Sequence, residues 1–471
     1  MLTLGHVFAA FTGYEPTGKE KALGPVVIDS RQVVQDSLFV AFVGKNVDGH
    51  DFVEDAFRRG AAAALIERPA AGLYQSVNLR EWQGGELPAT PICLLVENTL
   101  TALQQLAAYW RQRHNPTVIG ITGSVGKSST KELTAAVLSQ RYRTLKSEGN
   151  YNNEIGLPLT LLQLQPEHTC AVLEMGMYAQ GEIATLCRLA APQIGVVTNV
   201  GPVHLQRLGS LEAIVAAKQE LVEALPASGV AILNRDEPLV MGMAAHTAAR
   251  VLTYGVGDSA PAEADFWADK INSMGLDGIR FRLHHEGTML HLHIPLLGRH
   301  SVHTALRAAA VGHACGLRWD EIVTGLQDQR AQLRLVAVDG PGGSLLIDDT
   351  YNSSPESAIA ALNLLADLDG RRIAVMGDML ELGAATEQAH RLVGRRAMEV
   401  ADILITVGPL GRLMGEEALA QGMSPTRLHM VADAAAAAVL LQSLIEPHDV
   451  TLVKGSRGVH LDQLVTALSR S

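Results

Sequence analysis

The segment "PTVIGITGSVGKSSTKELTAAVLSQRY" constrains this chain more tightly than any other. Its β-branched opening, "PTVIGIT", reads as a short buried strand. "KSSTKELTAAVLSQRY" has helical composition, with Leu133, Val137 and Leu138 at core-facing spacing. A strand, a glycine turn and a helix in that order aim backbone N–H groups and the positive end of the helix dipole at one point. Gly123 and Gly126 let the backbone approach an anion where a Cβ would intrude. Ser124 and Ser129 add hydroxyls, Lys127 can reach terminal phosphates, and the Ser128 hydroxyl can sit on a magnesium ion. The form is the short G-x-x-G-K-S, with Ile121 where longer phosphate loops carry a further glycine. A tight turn with a solvated lysine is the competing reading. The flanking strand and helix weigh against it, so the turn is expected to hold a nucleoside triphosphate.

At 471 residues the chain exceeds what one hydrophobic core sustains, so several domains are expected. Apolar residues at 47% and charged residues at 18% describe a globular protein, not a disordered one. No apolar run reaches membrane-span length, and the N-terminus lacks the basic stretch of a signal peptide. Cys93, Cys170, Cys187 and Cys315 are scattered without C-x-x-C spacing, which fits reduced thiols in a cytoplasmic protein. A net charge of −11 argues against nucleic acid as a partner, and anionic substrates would need a local cluster of positive groups.

Apolar runs alternate with helical stretches along most of the chain, which is the pattern of an α/β fold. "PVVIDSRQV", "DSLFVAF" and "AAALIE" form a first region, closed by the helix "TALQQLAAYWRQRHNP" ending at its proline. A second region runs through "CAVLEMGMY", "IGVVTNVG", "GVAILNRDEP" and "VLTYGVG", each a strand with a polar residue at its downstream end, where ligands of parallel sheets gather. The segment from Asp265 to Gly298 reads as appended antiparallel hairpins. A third region repeats the alternation through "SLLIDDTY", "RRIAVMGDM", "ADILITVG" and "DVTLVKGSRG". The expected boundaries are 1–113, 114–330 and 331–471.

Single residues carry weaker signals. Glu174 ends the strand after the phosphate turn and could meet a metal; His204 follows another strand end. Lys218, in "LEAIVAAKQELVEAL", reads on periodicity alone as a surface lysine. His284, His285, His291 and His293 read as solvent-facing hairpin histidines more readily than as a zinc site. Met376 and Met379, on either side of Asp378, read as core filler.

Taken together, "GITGSVGKSSTKEL", "GNYNNEIGLPLTLL", "LEMGM", "NVGPVHLQRLGS", "AAKQEL", "IDDTYNSSPES", "GDMLELG" and "LVKGSRG" occur in the order that marks the Mur ligases of peptidoglycan synthesis. The resemblance spans nearly the whole chain, because "IDSRQV…LFVAFVGKNVDGHDF" also resembles that family's UDP-binding N-terminal domain. It implies a three-domain α/β architecture with a central P-loop parallel-sheet ATPase domain and a Rossmann-like C-terminal domain. No "DNPR" motif is present, while "GDMLELG" and "DDTYN" fit the branch that adds a dipeptide. The implied activity is ATP-dependent, ADP-producing addition of D-alanyl-D-alanine to UDP-N-acetylmuramoyl-tripeptide, by a cytoplasmic monomer serving cell-wall biogenesis and hence cell shape and division.

The resemblance also assigns roles. Lys127 and Ser128 would bind the β- and γ-phosphates and a first of two Mg2+ ions, Glu174 would hold that ion, and His204 a second. Lys218 lies where the family carries a carbamylated lysine, a carboxylate-like ligand. Asn152 and Asn153 would contact the sugar–peptide, and Ser30 and Arg31 the uridine end. Arg334 would face the γ-phosphate, Asp349, Tyr351 and Asn352 the nucleotide, while Lys454, Ser456 and Arg457 would belong to the substrate crevice. Ser301 and Thr304 stand where the family carries two asparagines that contact adenine, and Ser353 replaces an alanine. Other readings are a different ligase of the superfamily (amino-acid-adding or folylpolyglutamate-type), a P-loop small-molecule kinase, and a binding protein that keeps the fold without catalysis.

Overall fold

The computed structural model describes residues 1–44, 47–69, 74–202, 205–257, 264–328 and 336–469. Three sheets organise it. The first comprises β1 (Val26–Val27), β2 (Leu38–Val40), β3 (Ala63–Ile66), β4 (Gln75–Asn78) and β5 (Ile92–Leu95), all parallel, in the order β1-β2-β3-β5-β4. The second has nine strands: β6 (Thr117–Thr122), β7 (Thr144–Lys146), β8 (Cys170–Glu174), β9 (Ile194–Val197), β10 (Val230–Asn234), β11 (Arg250–Val256), β12 (Phe266–Ser273), β13 (Ile279–His285) and β14 (Thr288–Ile294). The third contains β15 (Val336–Asp339), β16 (Leu345–Asp349), β17 (Arg372–Gly377), β18 (Ile403–Val407), β19 (Leu428–Val431) and β20 (Val450–Lys454), in the order β15-β16-β20-β17-β18-β19. The chain divides into two compact units, residues 1–120, 142–177 and 181–194 in one, and 121–141, 178–180 and 195–471 in the other.

In the first unit, β2 and β3 are buried along their whole length, as befits a parallel sheet covered on both faces. The helix Thr99–His114 starts at Asn98, whose side chain accepts from Thr101 N. It stops at Asn115 in the left-handed region, immediately before Pro116, as the sequence indicated. On that helix the buried Trp110 donates from Nε1 to the Leu164 carbonyl at 3.0 Å. The same unit holds the parallel pair β7–β8.

In the second unit, β10, β11 and β12 run parallel, while β12, β13 and β14 form the expected antiparallel hairpins. On β13, Ile279, Phe281, Leu283 and His285 alternate onto the buried face. His285 is thus a core residue, not the solvent-facing one expected. His284 is half-buried, stacked on Trp267 and bonded to Asp269, while His291 and His293 are exposed.

In the third sheet β15 is antiparallel to β16, and the other strands are parallel. Ala374 and Met376 of β17 enter one apolar cluster, Ile373 and Val375 another, so side chains of period two feed cores on both faces. Met376 and Met379 are both fully buried, as expected. Cys93, Cys170 and Cys187 are buried and Cys315 is half-buried, none of them in a disulfide. No helix among the described residues is long and apolar enough to cross a membrane.

The helix Lys127–Leu138 is seated by glycines. A Cβ at Gly312 would lie 2.8 Å from Val137 Cγ1, and one at Gly325 only 2.4 Å from Val137 Cα. Backbone cannot yield as a side-chain tip can. Gly325→Ala is therefore expected to lower stability by about 1–3 kcal/mol despite alanine's better helix propensity. Gly242→Ala, with nothing within 4 Å of the new Cβ, should leave the urea midpoint unchanged or slightly raised.

Candidate nucleotide-binding site

In the second unit the chain leaves β6 at Thr122, turns through Gly123–Gly126 and enters the helix at Lys127. The first N–H groups of any α-helix have no partner within it, so this end favours an anion. Gly123 has φ +142°, and a Cβ there would fall 1.8 Å from Thr198 Oγ1. Gly126, the N-cap, is left-handed at φ +84°. Both positions exclude a side chain, by contact as well as backbone strain at the first and by backbone strain at the second.

The loop after β9 braces the turn. Thr198 Oγ1 donates to Val125 O at 2.6 Å. Asn199 accepts from Ser124 N at its carbonyl (3.0 Å) and from Val125 N at its side-chain oxygen (2.8 Å). Ser124 Oγ exchanges hydrogen bonds with the Gly201 backbone at 3.1 and 2.8 Å. Lys127 Nζ donates to the Gly123 and Ser124 carbonyls at 2.8 and 3.3 Å, which draws its charge over the turn. Ser128 is buried on the first helical turn.

Lys218 is 2% exposed, contrary to the surface reading. It occupies the apolar stripe Ile214, Ala217, Lys218, Leu221 and Val222 of the helix Leu211–Glu223. Burial, and then the neighbouring charge of Lys127, push its amine well below the ordinary lysine range.

A second cation was not anticipated. Arg307, on the helix Ser301–Ala314, is buried, and its Nη1 would lie 3.5 Å from a Cβ at Gly126. Its Nε donates to His303 O at 2.9 Å and its Nη2 to Thr304 Oγ1 at 3.2 Å. Its guanidinium lies 5.6 Å from the Tyr254 ring, and the Tyr254 hydroxyl donates to Thr198 O at 3.0 Å. Burial pushes the Tyr254 phenol up to about 12 and His303 down to about 4. His300, His303 and Arg307 stand at i, i+3 and i+7, a stripe visible in "HSVHTALR". Ser301 donates to Leu297 O, so of the two hydroxyls only Thr304 touches the arginine.

At the third sheet, Asp349 and Lys454 are register partners at the carboxyl ends of β16 and β20. Lys454, fully buried, donates to Asp349 Oδ2 at 2.7 Å and to Asn352 O at 2.9 Å. Ser456 is buried and its Oγ accepts from Leu380 N; Arg457 is exposed and Tyr351 half-buried.

In the first unit, Glu174 is buried at the end of β8, and Asn152 Nδ2 donates to its Oε1 at 2.9 Å. Asn153 behaves differently, its Oδ1 accepting from Ile155 N and Gly156 N. Ser30 is buried at the start of a short 3-10 turn. Arg31 is exposed and paired with Asp29, whose carboxyl it holds down to about 2. His204 and Arg334 lie outside the described residues.

A braced glycine turn on a parallel strand, with the half-buried Lys127 and the buried Arg307 beside it, defines a phosphate-loop nucleotide-binding α/β protein. Family comparisons narrow the class. "Mur ligase family, catalytic domain" matches residues 25–111, "Mur ligase middle domain" residues 121–312, and "Mur ligase, glutamate ligase domain" residues 333–457. The UDP-N-acetylmuramoyl-tripeptide–D-alanyl-D-alanine ligase of Synechocystis sp. is 38% identical over 94% of this chain and 91% of its own. The crystal structure of MurF from Acinetobacter baumannii superposes with a TM-score of 0.84 at 30% identity, covering 100% of this chain and 99% of that one. MurF from Thermotoga maritima, solved with ADP, gives 0.78 at 26% identity, covering 95% and 97%. The chain belongs to the Mur ligase family, and its three-sheet α/β fold is that of the MurF structures.

Gly123→Ala forces a Cβ into Thr198 and so displaces the turn from its brace. ADP is expected to raise the thermal midpoint of the wild-type protein but not of this variant, which should keep a cooperative unfolding transition. An undiminished ADP shift in this variant would mean that nucleotide binds elsewhere.

Proposed function

We propose that this chain is an ATP-dependent ligase that joins D-alanyl-D-alanine to UDP-N-acetylmuramoyl-tripeptide, with release of ADP and phosphate, in peptidoglycan precursor synthesis. The observation that carries the reading is near-full-length likeness to the Synechocystis ligase at 38% identity. The braced glycine turn supplies the site through which ATP would act.

A carboxylate does not condense with an amine at neutral pH without activation. In this reading a carboxylate oxygen of the tripeptide attacks the γ-phosphorus of ATP. The bond from that phosphorus to the β–γ bridging oxygen breaks, giving an acyl phosphate and ADP. The dipeptide amine then attacks the acyl carbon, loses a proton, and inorganic phosphate leaves. Attacking and attacked groups are both anionic in the first step. Lys127, half-buried, and Arg307, buried, offset that repulsion with positive charge, and Arg334 is assigned to the γ-phosphate. Ser128 and Glu174 are buried oxygen donors of the kind Mg2+ takes, and two such ions, when bound, would supply further charge neutralisation. His204 and Lys218 complete the proposed metal set.

Lys218 suits carbamylation because a buried amine kept neutral can attack carbon dioxide. The new N–C bond releases a proton and leaves carboxylate oxygens in place of a cation. Asp349, Tyr351 and Asn352 are assigned to the nucleotide, Ser30 and Arg31 to uridine, and Asn152 and Asn153 to the sugar–peptide. Lys454, Ser456 and Arg457 are assigned to the substrate crevice. The domains proposed are 1–113 for UDP-substrate binding, 114–330 for ATP binding and 331–471 for closure over the nucleotide. The enzyme is taken to act as a cytoplasmic monomer.

Phosphate release from ATP should require both UDP-N-acetylmuramoyl-tripeptide and D-alanyl-D-alanine, with a product heavier by the dipeptide. Release without the dipeptide, or only with another amine, would move the substrate assignment to a relative. Lys218→Ala should be nearly inactive and partly rescued by short-chain carboxylic acids. Full activity of that variant would remove the carbamate from the mechanism.

A further inference from the structure

At the far end of the helix that carries Arg307, a group of side chains serves none of the chemistry above. His285, Glu286 and His313 present three ligand atoms that all lie within 4.8 Å of one another. His285 closes β13, Glu286 follows it in the β13–β14 turn with φ +46°, and His313 lies in the last turn of Ser301–Ala314.

The His285 ring is fixed in position and tautomer. It stacks on Phe266, with centroids 3.9 Å apart and planes 11° from parallel. Its Nδ1 is 2.8 Å from the Asp265 carbonyl, which only accepts, so Nδ1 carries a proton and the nitrogen left for a ligand bond is Nε2. That pattern, a backbone carbonyl orienting one nitrogen so that the other can ligate, recurs behind metal-bound histidines. His285 Nε2 is 3.3 Å from His313 Nε2. Two imidazole nitrogens at ordinary Zn–N lengths on a tetrahedral ion stand about 3.3–3.4 Å apart. Glu286 Oε2 lies 3.7 Å from His285 Nε2, and its carboxylate is exposed, which gives a cation a route in.

We propose that His285, Glu286 and His313 form a binding site for a divalent transition-metal ion of the zinc class, with an imidazole–imidazole–carboxylate ligand set and a fourth position open to water. Imidazole nitrogens favour such ions over magnesium. The ion would fasten the β13–β14 turn to the helix whose other end places His300, His303 and Arg307. Without an ion, the two rings are held by a single N–H between them, and the experiment must separate these states.

Metal-free protein is titrated with ZnCl2 in the calorimeter, with MgCl2 in large excess to occupy oxygen-rich sites. The proposal expects one zinc per chain at this site and a rise in thermal midpoint on binding. His313→Gln and Glu286→Gln, the latter at an exposed position that cannot disturb the core, should each weaken binding by about tenfold or more. Co2+ in place of zinc should give the strong visible absorption of a tetrahedral site, lost in His313→Gln. No zinc uptake by the wild-type protein, or wild-type affinity in either variant, overturns the site and leaves the His285–His313 contact as a hydrogen bond.

Discussion

Burying positive charge beside a glycine turn is the constraint on which the functional part of this structure rests. A charge taken out of water is costly unless an opposite charge or hydrogen bonds replace the lost solvation. Arg307 cannot shed its proton, and its partners here are a carbonyl, a hydroxyl and an aromatic ring, none fully negative. Lys218 can shed its proton, and burial drives it that way. Lys127 folds back onto the carbonyls of its own turn. For Arg307 and Lys127 these are arrangements that a polyphosphate would relieve, which ties both cations to the anion-favouring helix end.

The brace around the turn shows how the fold places that charge. Parallel strands deliver their polar residues to one end, and Thr198 and Asn199 arrive beside the turn because they follow β9. Glu174 ends β8, and Asp349 and Lys454 end neighbouring strands of another sheet in register. None of these residues needs a specialised local structure. Each sits at, or one residue past, the polar end of a buried apolar run.

Much of this was legible in the sequence, and the failures have identifiable causes. The glycine turn, its flanking strand and helix, and the apolar strands at β2, β3, β8, β10, β16, β17, β18 and β20 announced themselves through short hydrophobic runs between glycines. The strands β4, β15 and β19 did not, because "QSVN", "VAVD" and "LHMV" are four-residue, partly exposed edge strands, too short to stand out as buried runs. The surface reading of Lys218 on periodicity misplaces the helix face, helped by the rarity of buried lysine. The positions Ile214, Ala217, Leu221 and Val222 had already marked its face as core. His285 was misplaced because its neighbour His284 faces the other side, and only the alternation from Ile279 onward separates them. Arg307 hid among alanines, although the i, i+3, i+7 spacing of His300, His303 and Arg307 was there to be counted.

The central claim is that the site recognises the negative charge of a phosphate chain. It is tested most directly by the thermal midpoint with AMP, ADP and a non-hydrolysable ATP analogue at matched concentrations and fixed magnesium, in wild type and Arg307→Met. The account predicts stabilisation that climbs with each added phosphate, and a flatter series in the variant. AMP stabilising as much as the ATP analogue, in both proteins, would contradict it.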